Sequence, residues 1–156
     1  MPNEQMRQDG RQNRGYPHGN QRNTGIVSIA DEVSAKAEII IDPAKDAKGN
    51  ELISCAQKLG QYLAVNVRMT TSQIRNLFAE AVRIKKIYGN DNKGPYEVNL
   101  LRAKFAYNAG RFREVKDFQK IADRMLLHID SKEKFTRFFD FFEAVVAYHK
   151  QYGGKE

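Results

Sequence analysis

The sequence contains little of what disulfide-linked, thiolate metal-binding and membrane proteins depend on. Its single cysteine, Cys55, can neither form a disulfide within the chain nor serve as the core of a thiolate metal site. No apolar run approaches the ~20 residues of a membrane-spanning helix. The N-terminal residues are basic but lack the apolar segment of a secretory signal. These absences lead us to expect a soluble, cytoplasmic protein.

Catalytic signatures are also scarce. The three histidines are His18, His128 and His149, and no two of them have the spacing of metal ligands. Neither a glycine-rich phosphate loop nor a serine or cysteine nucleophile motif occurs. His149 falls on an apolar helix face, which favours a hydrogen-bonded core histidine. We therefore expect no enzyme, no metal site, no cofactor and no small-molecule substrate.

The sequence shows neither period-two alternation nor the β-branched runs of strands. Six segments instead carry apolar residues at helical spacing. They are residues 28–40, 51–67, 71–88, 96–109, 112–129 and the segment from Ser131 onward. We predict the all-α class, with residues 26–156 forming a compact single-domain bundle of about five to six helices.

Residues 1–25 differ from this pattern. They are rich in glycine, proline and arginine and contain almost nothing apolar. Such a segment buries too little surface to offset the entropy of ordering it, so we predict a disordered basic tail. A weak nucleic-acid-binding arm and a plain solvated tail are both open interpretations.

Several local signals define the helices more closely. Thr70 followed by Gln73 fits a capping box at the start of the third helix, and Ser131 is a good N-cap for the last one. In the fourth helix Leu100, Ala103 and Tyr107 form a second apolar face, which predicts burial between neighbours. Gly110 is predicted to end this helix and to provide a turn at positive φ.

The charge balance is basic, with 26 Lys and Arg against 19 Asp and Glu and a pI near 9.5. On a helical wheel, Arg75, Arg83 and Lys86 share one flank of the third helix, and no acidic residue falls there. Lys104 and Arg111 share a face if the fourth helix extends that far. Two acid-free basic faces favour a polyphosphate ligand, whereas an ordinary solvated face is the alternative.

Two segments of the chain resemble the small subunit of the type III-A CRISPR interference complex, the Csm complex. Thr70-Thr71-Ser72-Gln73-Ile74-Arg75 is similar to the Thr-Ser-Gln-Ile-Arg helix start of that family. Lys104-Phe105-Ala106-Tyr107-Asn108-Ala109-Gly110-Arg111 is similar to its Lys-x-Ala-Tyr-x-x-Gly-Arg motif, although Ala103 stands where the family often has proline. The resemblance covers residues 52–152, without the basic tail.

The resemblance implies a non-catalytic scaffold that stacks in several copies along a CRISPR RNA and contacts the backbone of target RNA. Cleavage would then belong to the backbone subunits, and signalling chemistry to the large subunit. Arg75, Lys104 and Arg111 match the family motifs and are the candidate phosphate contacts. Arg68 and Arg83 join them on the wheel and proximity argument alone. The implied partners are CRISPR RNA, target RNA, the other subunits and copies of this chain.

Two aromatic residues of the last helix, Phe141 and Tyr148, lie about 100° from its main apolar face. A neighbouring copy could cover them, which would make them interface residues; a wide core face under another helix is the alternative.

Two other functions also remain open. One is a protein-interaction module whose basic faces dock acidic surfaces. The other is a small DNA-binding regulator with a tight turn at Val67–Thr71.

Overall fold

The computed structural model describes residues 27–89 and 92–155, so the predicted basic tail lies outside the described residues. Seven α-helices and no β-strand occur in these two ranges, which confirms the all-α class. The helices are α1 (Ile29–Ala35), α2 (Ala37–Ile41), α3 (Asn50–Gln61), α4 (Thr71–Ile87), α5 (Gly94–Arg111), α6 (Lys116–Leu126) and α7 (Lys132–Gln151). A π-helical turn, Tyr62–Asn66, extends α3, and a 3-10 turn, Arg113–Val115, precedes α6.

The count exceeds five to six because one predicted helix is two. At Lys36 the backbone leaves helical geometry, with φ −99° and ψ 5°. Its N–H donates to the carbonyl of Val33, at 3.0 Å, instead of continuing the α-helical ladder. The chain then turns into α2, which ends before Asp42-Pro43 as predicted.

Side-chain caps fix the starts of the two helices that the sequence defined best. The Thr70 hydroxyl accepts from the N–H of Gln73 at 3.2 Å, and the Gln73 side chain accepts from the N–H of Thr70 at 2.9 Å. The Ser131 hydroxyl accepts from the N–H of Lys134 at 3.2 Å. Both predicted caps are therefore confirmed.

Aromatic rings from several helices fill the core around α7. Phe118 meets Phe105 and Phe142 edge to face, with centroid distances of 5.2 and 4.9 Å. These are the arrangements that aromatic pairs prefer. Gly60 lets α3 approach α7, because a Cβ at that position would lie 2.6 Å from the Cβ of Tyr148.

Hydrogen bonds connect the C-terminal residues and the end of α7 to the start of α4. Thr71 donates its backbone N–H to the carbonyl of Lys155 at 2.7 Å and its hydroxyl to the carbonyl of Gly154 at 3.3 Å. The buried His149 donates from Nε2 to the carbonyl of Met69 at 2.6 Å. This is the hydrogen-bonded core histidine that the sequence predicted. The segment that precedes α4 is therefore held from two sides.

Candidate nucleic-acid interface

Helices α4 and α5 lie side by side and antiparallel, and polar contacts set their register. Arg83 Nη2 lies 2.7 Å from Glu97 Oε2, and Lys104 Nζ lies 2.6 Å from Glu80 Oε2. Beyond the end of α5, Gln73 donates to Glu114 at 2.8 Å. The first turns of α4 therefore lie beside the last turns of α5, and the two motifs of the sequence analysis meet at one end of the helix pair.

Two of the five predicted phosphate contacts are neutralised within the chain. Arg83 bonds to Glu97 and also to Glu80, whose oxygen lies 3.2 Å from Arg83 Nε. Lys104 shares the same Glu80 oxygen. Hydrogen bonding from Lys104, and then from Arg83, lowers the pKa of Glu80, and hydrogen bonding from Arg83 lowers the pKa of Glu97. Both carboxylates are therefore charged and balance the two cations.

The prediction of an acid-free flank is therefore wrong. Glu80 lies three residues before Arg83 on α4, where side chains of neighbouring turns meet. Glu97 comes from α5, and a wheel of one helix cannot show what its neighbour contributes. The flank also holds Lys86, which has interactions of its own.

The other three, Arg68, Arg75 and Arg111, are exposed. No acidic side chain within residues 27–89 and 92–155 forms an ion pair with any of them. Along the chain, Arg75 lies between Gln73 and Glu80, and Arg111 lies between their partners Lys104 and Glu114. The two therefore share one end of the helix pair.

Arg111 has aromatic neighbours. Its guanidinium carbon lies 4.9 Å from the ring centroid of Phe112 and 5.8 Å from that of Tyr107. Such contacts hold a guanidinium in place without neutralising it. The charge of Arg111 therefore remains available to an external anion.

The structure corrects the prediction for Gly110. Helix α5 continues through Gly110 and ends at Arg111, and Gly110 does not adopt positive φ. A Cβ at Gly110 would meet nothing within 4 Å, so crowding does not explain the glycine either. The longer helix keeps Lys104 and Arg111 on one face, two turns apart.

Arg68 has the unusual backbone that was predicted for Gly110. Its φ is 57°, and it is the one residue other than glycine with positive φ in the described ranges. It follows the π-helical turn, and the next N–H, that of Met69, donates to the carbonyl of Leu63 at 2.8 Å. Helices often end in this way, with glycine at the left-handed position. A residue with a side chain in this left-handed conformation lowers the stability of the fold by about 1–2 kcal/mol relative to glycine.

The second apolar face of α5 is exposed, contrary to prediction. Tyr107 is 64% exposed and Leu100 is 40% exposed. Tyr96, also on this side of the helix, is exposed as well. We call Tyr96, Leu100, Ala103 and Tyr107 the α5 stripe. The wheel identified the face correctly but could not show that no other described helix covers it.

The two predicted interface aromatics differ from each other in burial. Phe141 is 0% exposed and belongs to the core of this chain, so it offers no contact to a neighbouring copy. Tyr148 is partly buried and packs against the same core, beside Gly60 of α3. The alternative of a wide core face is therefore correct for Phe141. Helix α7 is enclosed on several sides, which a single-helix pattern cannot reveal.

The described residues contain no group of three or more His, Cys, Asp and Glu side chains placed to hold a metal ion. Cys55 is buried, and burial raises the pKa of its thiol. His128 lies 3.5 Å from Glu38, and His18 lies outside the described residues. Within the described ranges, no helix combines the length and the hydropathy that crossing a bilayer requires.

Comparison with known proteins places the chain in a family. The family model described as Csm2 Type III-A matches residues 46–155. A curated protein of Streptococcus thermophilus, "CRISPR system Cms protein Csm2", is 35% identical over 127 residues, covering 76% of this chain and 98% of the relative. A protein of the same name from Enterococcus italicus is 33% identical over 96 residues, covering 54% and 68%. No solved structure gives a significant match.

Proposed function

Because this chain belongs to the Csm2 family of type III-A CRISPR systems, and is thus a small subunit of the Csm effector complex, we propose that it contacts RNA there. The proposed role is non-catalytic. The chain stacks in several copies beside the other subunits and binds the backbone of the target RNA and guide duplex without reading its sequence.

A single observation carries the RNA-binding part. Arg75 and Arg111 lie at the same end of the α4–α5 pair, exposed and without an acidic partner among the described residues. Arginine presents several donors in a fixed fork that suits phosphate oxygens. Contacts of this kind neutralise backbone phosphates and carry no sequence information. Arg83 and Lys104 contribute less to this proposal, since Glu80 and Glu97 already bind them.

The stacking part is supported by the α5 stripe. Tyrosine and leucine side chains exposed in line along one helix are suited to burial against another protein surface. The stripe ends beside Arg111, so a subunit contact and an RNA contact could adjoin each other on α5. In our proposal the stripe replaces Phe141 as the surface that meets a neighbouring subunit.

The first experiment is co-purification from the native host, followed by sequencing of the bound RNA and identification of the bound proteins. The affinity tag belongs at the N-terminus, because the carbonyl of Lys155 accepts from Thr71 and a C-terminal tag would disturb that contact. Recovery of CRISPR-repeat-derived RNA together with the other subunits is the expected result. Recovery of the chain alone, without discrete RNA, would contradict the proposal.

The second experiment separates RNA binding from assembly. The double charge reversal Arg75→Glu/Arg111→Glu is expected to leave the complex assembled while weakening target RNA binding, more so at low salt. Arg75→Glu and Arg111→Glu are also tested singly, with Arg124→Glu as the control of equal charge change, because Arg124 is another exposed arginine, on α6, with no ion pair among the described residues. Loss of assembly in the double variant would favour a protein-docking role. A preference for palindromic DNA would favour a regulator.

A further inference from the structure

A second basic feature lies beside the start of α4. The end of the π-helical turn and the C-terminal residues enclose a cavity of about 450 Å³. Arg68 and Lys155 line it together with Val65 and Thr70, and none of its lining residues is acidic. An anion that enters this cavity would therefore meet two cations and no opposing charge among the described residues.

The two walls of this cavity are bound to each other. Thr71, next to Thr70, donates to the carbonyls of Lys155 and Gly154. The buried His149 donates to the carbonyl of Met69, the residue after Arg68. These contacts fix the backbone at Lys155 and next to Arg68, so the two side chains start from set positions before any ligand arrives, which reduces part of the entropy lost on binding.

The identity of residue 68 points to a role for its side chain. The backbone at this position, with φ 57°, is one that glycine adopts without strain. The chain has an arginine there instead, and no described residue pairs with its guanidinium. Strained residues of this kind concentrate at binding sites, and π-helical turns such as Tyr62–Asn66 are frequent there too. Neither packing nor an internal ion pair explains the arginine.

We propose that Arg68 and Lys155 form a subsite for one backbone phosphate of single-stranded RNA, an assignment that rests on the RNA-binding function proposed above. The guanidinium supplies forked donors and the ammonium a compact positive charge, which together suit a phosphodiester. The exposed Val65 gives the cavity an apolar wall against which a ribose can lie. Arg75 follows five residues after Thr70, about one and a half turns along α4.

The direct test is an NMR titration of the full-length chain with a short oligouridylate, with signals assigned for the Arg68 side chain and the Lys155 amide. Saturable shifts of both signals are expected. Shifts at Arg75 and Arg111 without shifts at Arg68 and Lys155 would overturn the subsite and leave the proposed function intact. A flat titration at all four residues would also overturn it, whereas the proposed function is tested separately on the assembled complex.

Inorganic phosphate, titrated at the same concentrations, identifies the source of the anion. It is expected to shift the Arg68 signal much less than the oligouridylate does, because it lacks the ribose and the neighbouring phosphates. Equal shifts would show a site for free anions and would overturn the assignment to RNA.

A variant distinguishes a binding role from a structural one. Arg68→Gly is expected to raise the dissociation constant for oligouridylate about tenfold, as the loss of one charged hydrogen-bonding group does. The salt dependence of log K should become shallower by about 0.7, the value for one phosphate on a single strand. The melting temperature should stay the same or rise, since glycine suits this backbone. Unchanged affinity with a raised melting temperature would assign Arg68 no part in binding.

Discussion

At Gly60 the backbones of α3 and α7 are close enough to exclude a methyl group. A Cβ there would lie 2.6 Å from the Cβ of Tyr148 and 2.9 Å from the backbone nitrogen of His149. Gly60→Ala should therefore lower the free energy of unfolding by about 1–3 kcal/mol, because neither backbone can yield without shifting a helix. Urea denaturation measures the difference.

Gly110→Ala is the matched control for this prediction. Gly110 also lies within a helix, but a Cβ there meets nothing within 4 Å. Alanine is the better helix former by about 1 kcal/mol, so this variant should be as stable as the wild type or more stable. Equal losses in both variants would show that close packing at Gly60 is not the cause.

Asp46 provides a second test at single-residue scale. Its carboxylate accepts from the N–H groups of Leu52 and Glu51, at 3.0 and 3.2 Å, and from Arg137 at 3.0 Å. It thereby orders the loop before α3 and joins it to α7. Asp46→Asn should cost about 2 kcal/mol of stability at neutral pH, because Arg137 loses its charged partner.

The pH dependence of this loss follows from the pKa of Asp46. Burial alone would raise that pKa, but the N–H donors of Leu52 and Glu51, together with Arg137, hold it below its usual 3.8. Because the pKa of Asp46 is lower in the folded state than its usual value of 3.8, its ionised carboxylate contributes in full to the free energy of unfolding above pH 3.8. That contribution disappears as the pH falls through the folded value. The gap between wild type and Asp46→Asn should therefore narrow below pH 3.8.

Asp31→Asn is the control for this pH series. Asp31 pairs with Lys120 at the surface, and both side chains are exposed. Exposed pairs contribute little, so this variant should resemble the wild type at every pH. A gap for Asp46→Asn that does not depend on pH would show that the carboxylate charge is not what stabilises the loop.

At the scale of the elements, the helices were predictable where a local signal marks their ends. The Thr70–Gln73 capping box and the Ser131 cap depend on residues adjacent in sequence, so the starts of α4 and α7 were predicted correctly. The break at Lys36 has no such signal, since neither glycine nor proline occurs near it. The burial of Phe141 depends on the helices around α7, and this information lies far away in the sequence.

The contact between α4 and α5 shows the same limit at the candidate site. The sequence identified the five candidate cations. The structure shows that two of them, Arg83 and Lys104, already pair with acidic side chains, whereas the other three have no such partner among the described residues. Glu97 reaches Arg83 from another helix, and this pairing depends on an antiparallel register that no single-helix pattern contains. The π-helical turn and the positive φ of Arg68 were likewise absent from the prediction, because an arginine gives no sign of a left-handed backbone.

The variant Glu80→Gln tests whether the pairing of Lys104 and Arg83 with acidic residues limits RNA binding. Glu80→Gln should release Lys104 and one bond of Arg83, so the assembled complex should bind target RNA more tightly, with a steeper salt dependence. Stability should fall by less than about 1 kcal/mol, because the pairs are partly solvated. The affinity is measured by fluorescence anisotropy across a salt series.

Glu32→Gln is the control for this element-scale test. Glu32 pairs with Lys58 at 2.6 Å, so the variant also releases a lysine, but away from the α4–α5 pair. Its RNA affinity should change much less. An equal gain in both variants would mean that only the net charge of the chain matters, and that the arrangement of the cations does not.

At the scale of the whole molecule, the two ends of the chain should contribute unequally to folding. The family match begins at residue 46 and ends at 155, and the last residues within it bond to the start of α4. Deleting residues 153–156 removes the acceptors of Thr71 and uncovers His149. We expect a clear loss of stability, about 1–3 kcal/mol for the unsatisfied groups.

Deleting residues 1–25 should leave stability unchanged, because that sequence has almost nothing apolar to bury. Thermal unfolding of both truncated chains measures the contrast, and a loss of stability on removing residues 1–25 would show that the predicted tail packs on the folded domain.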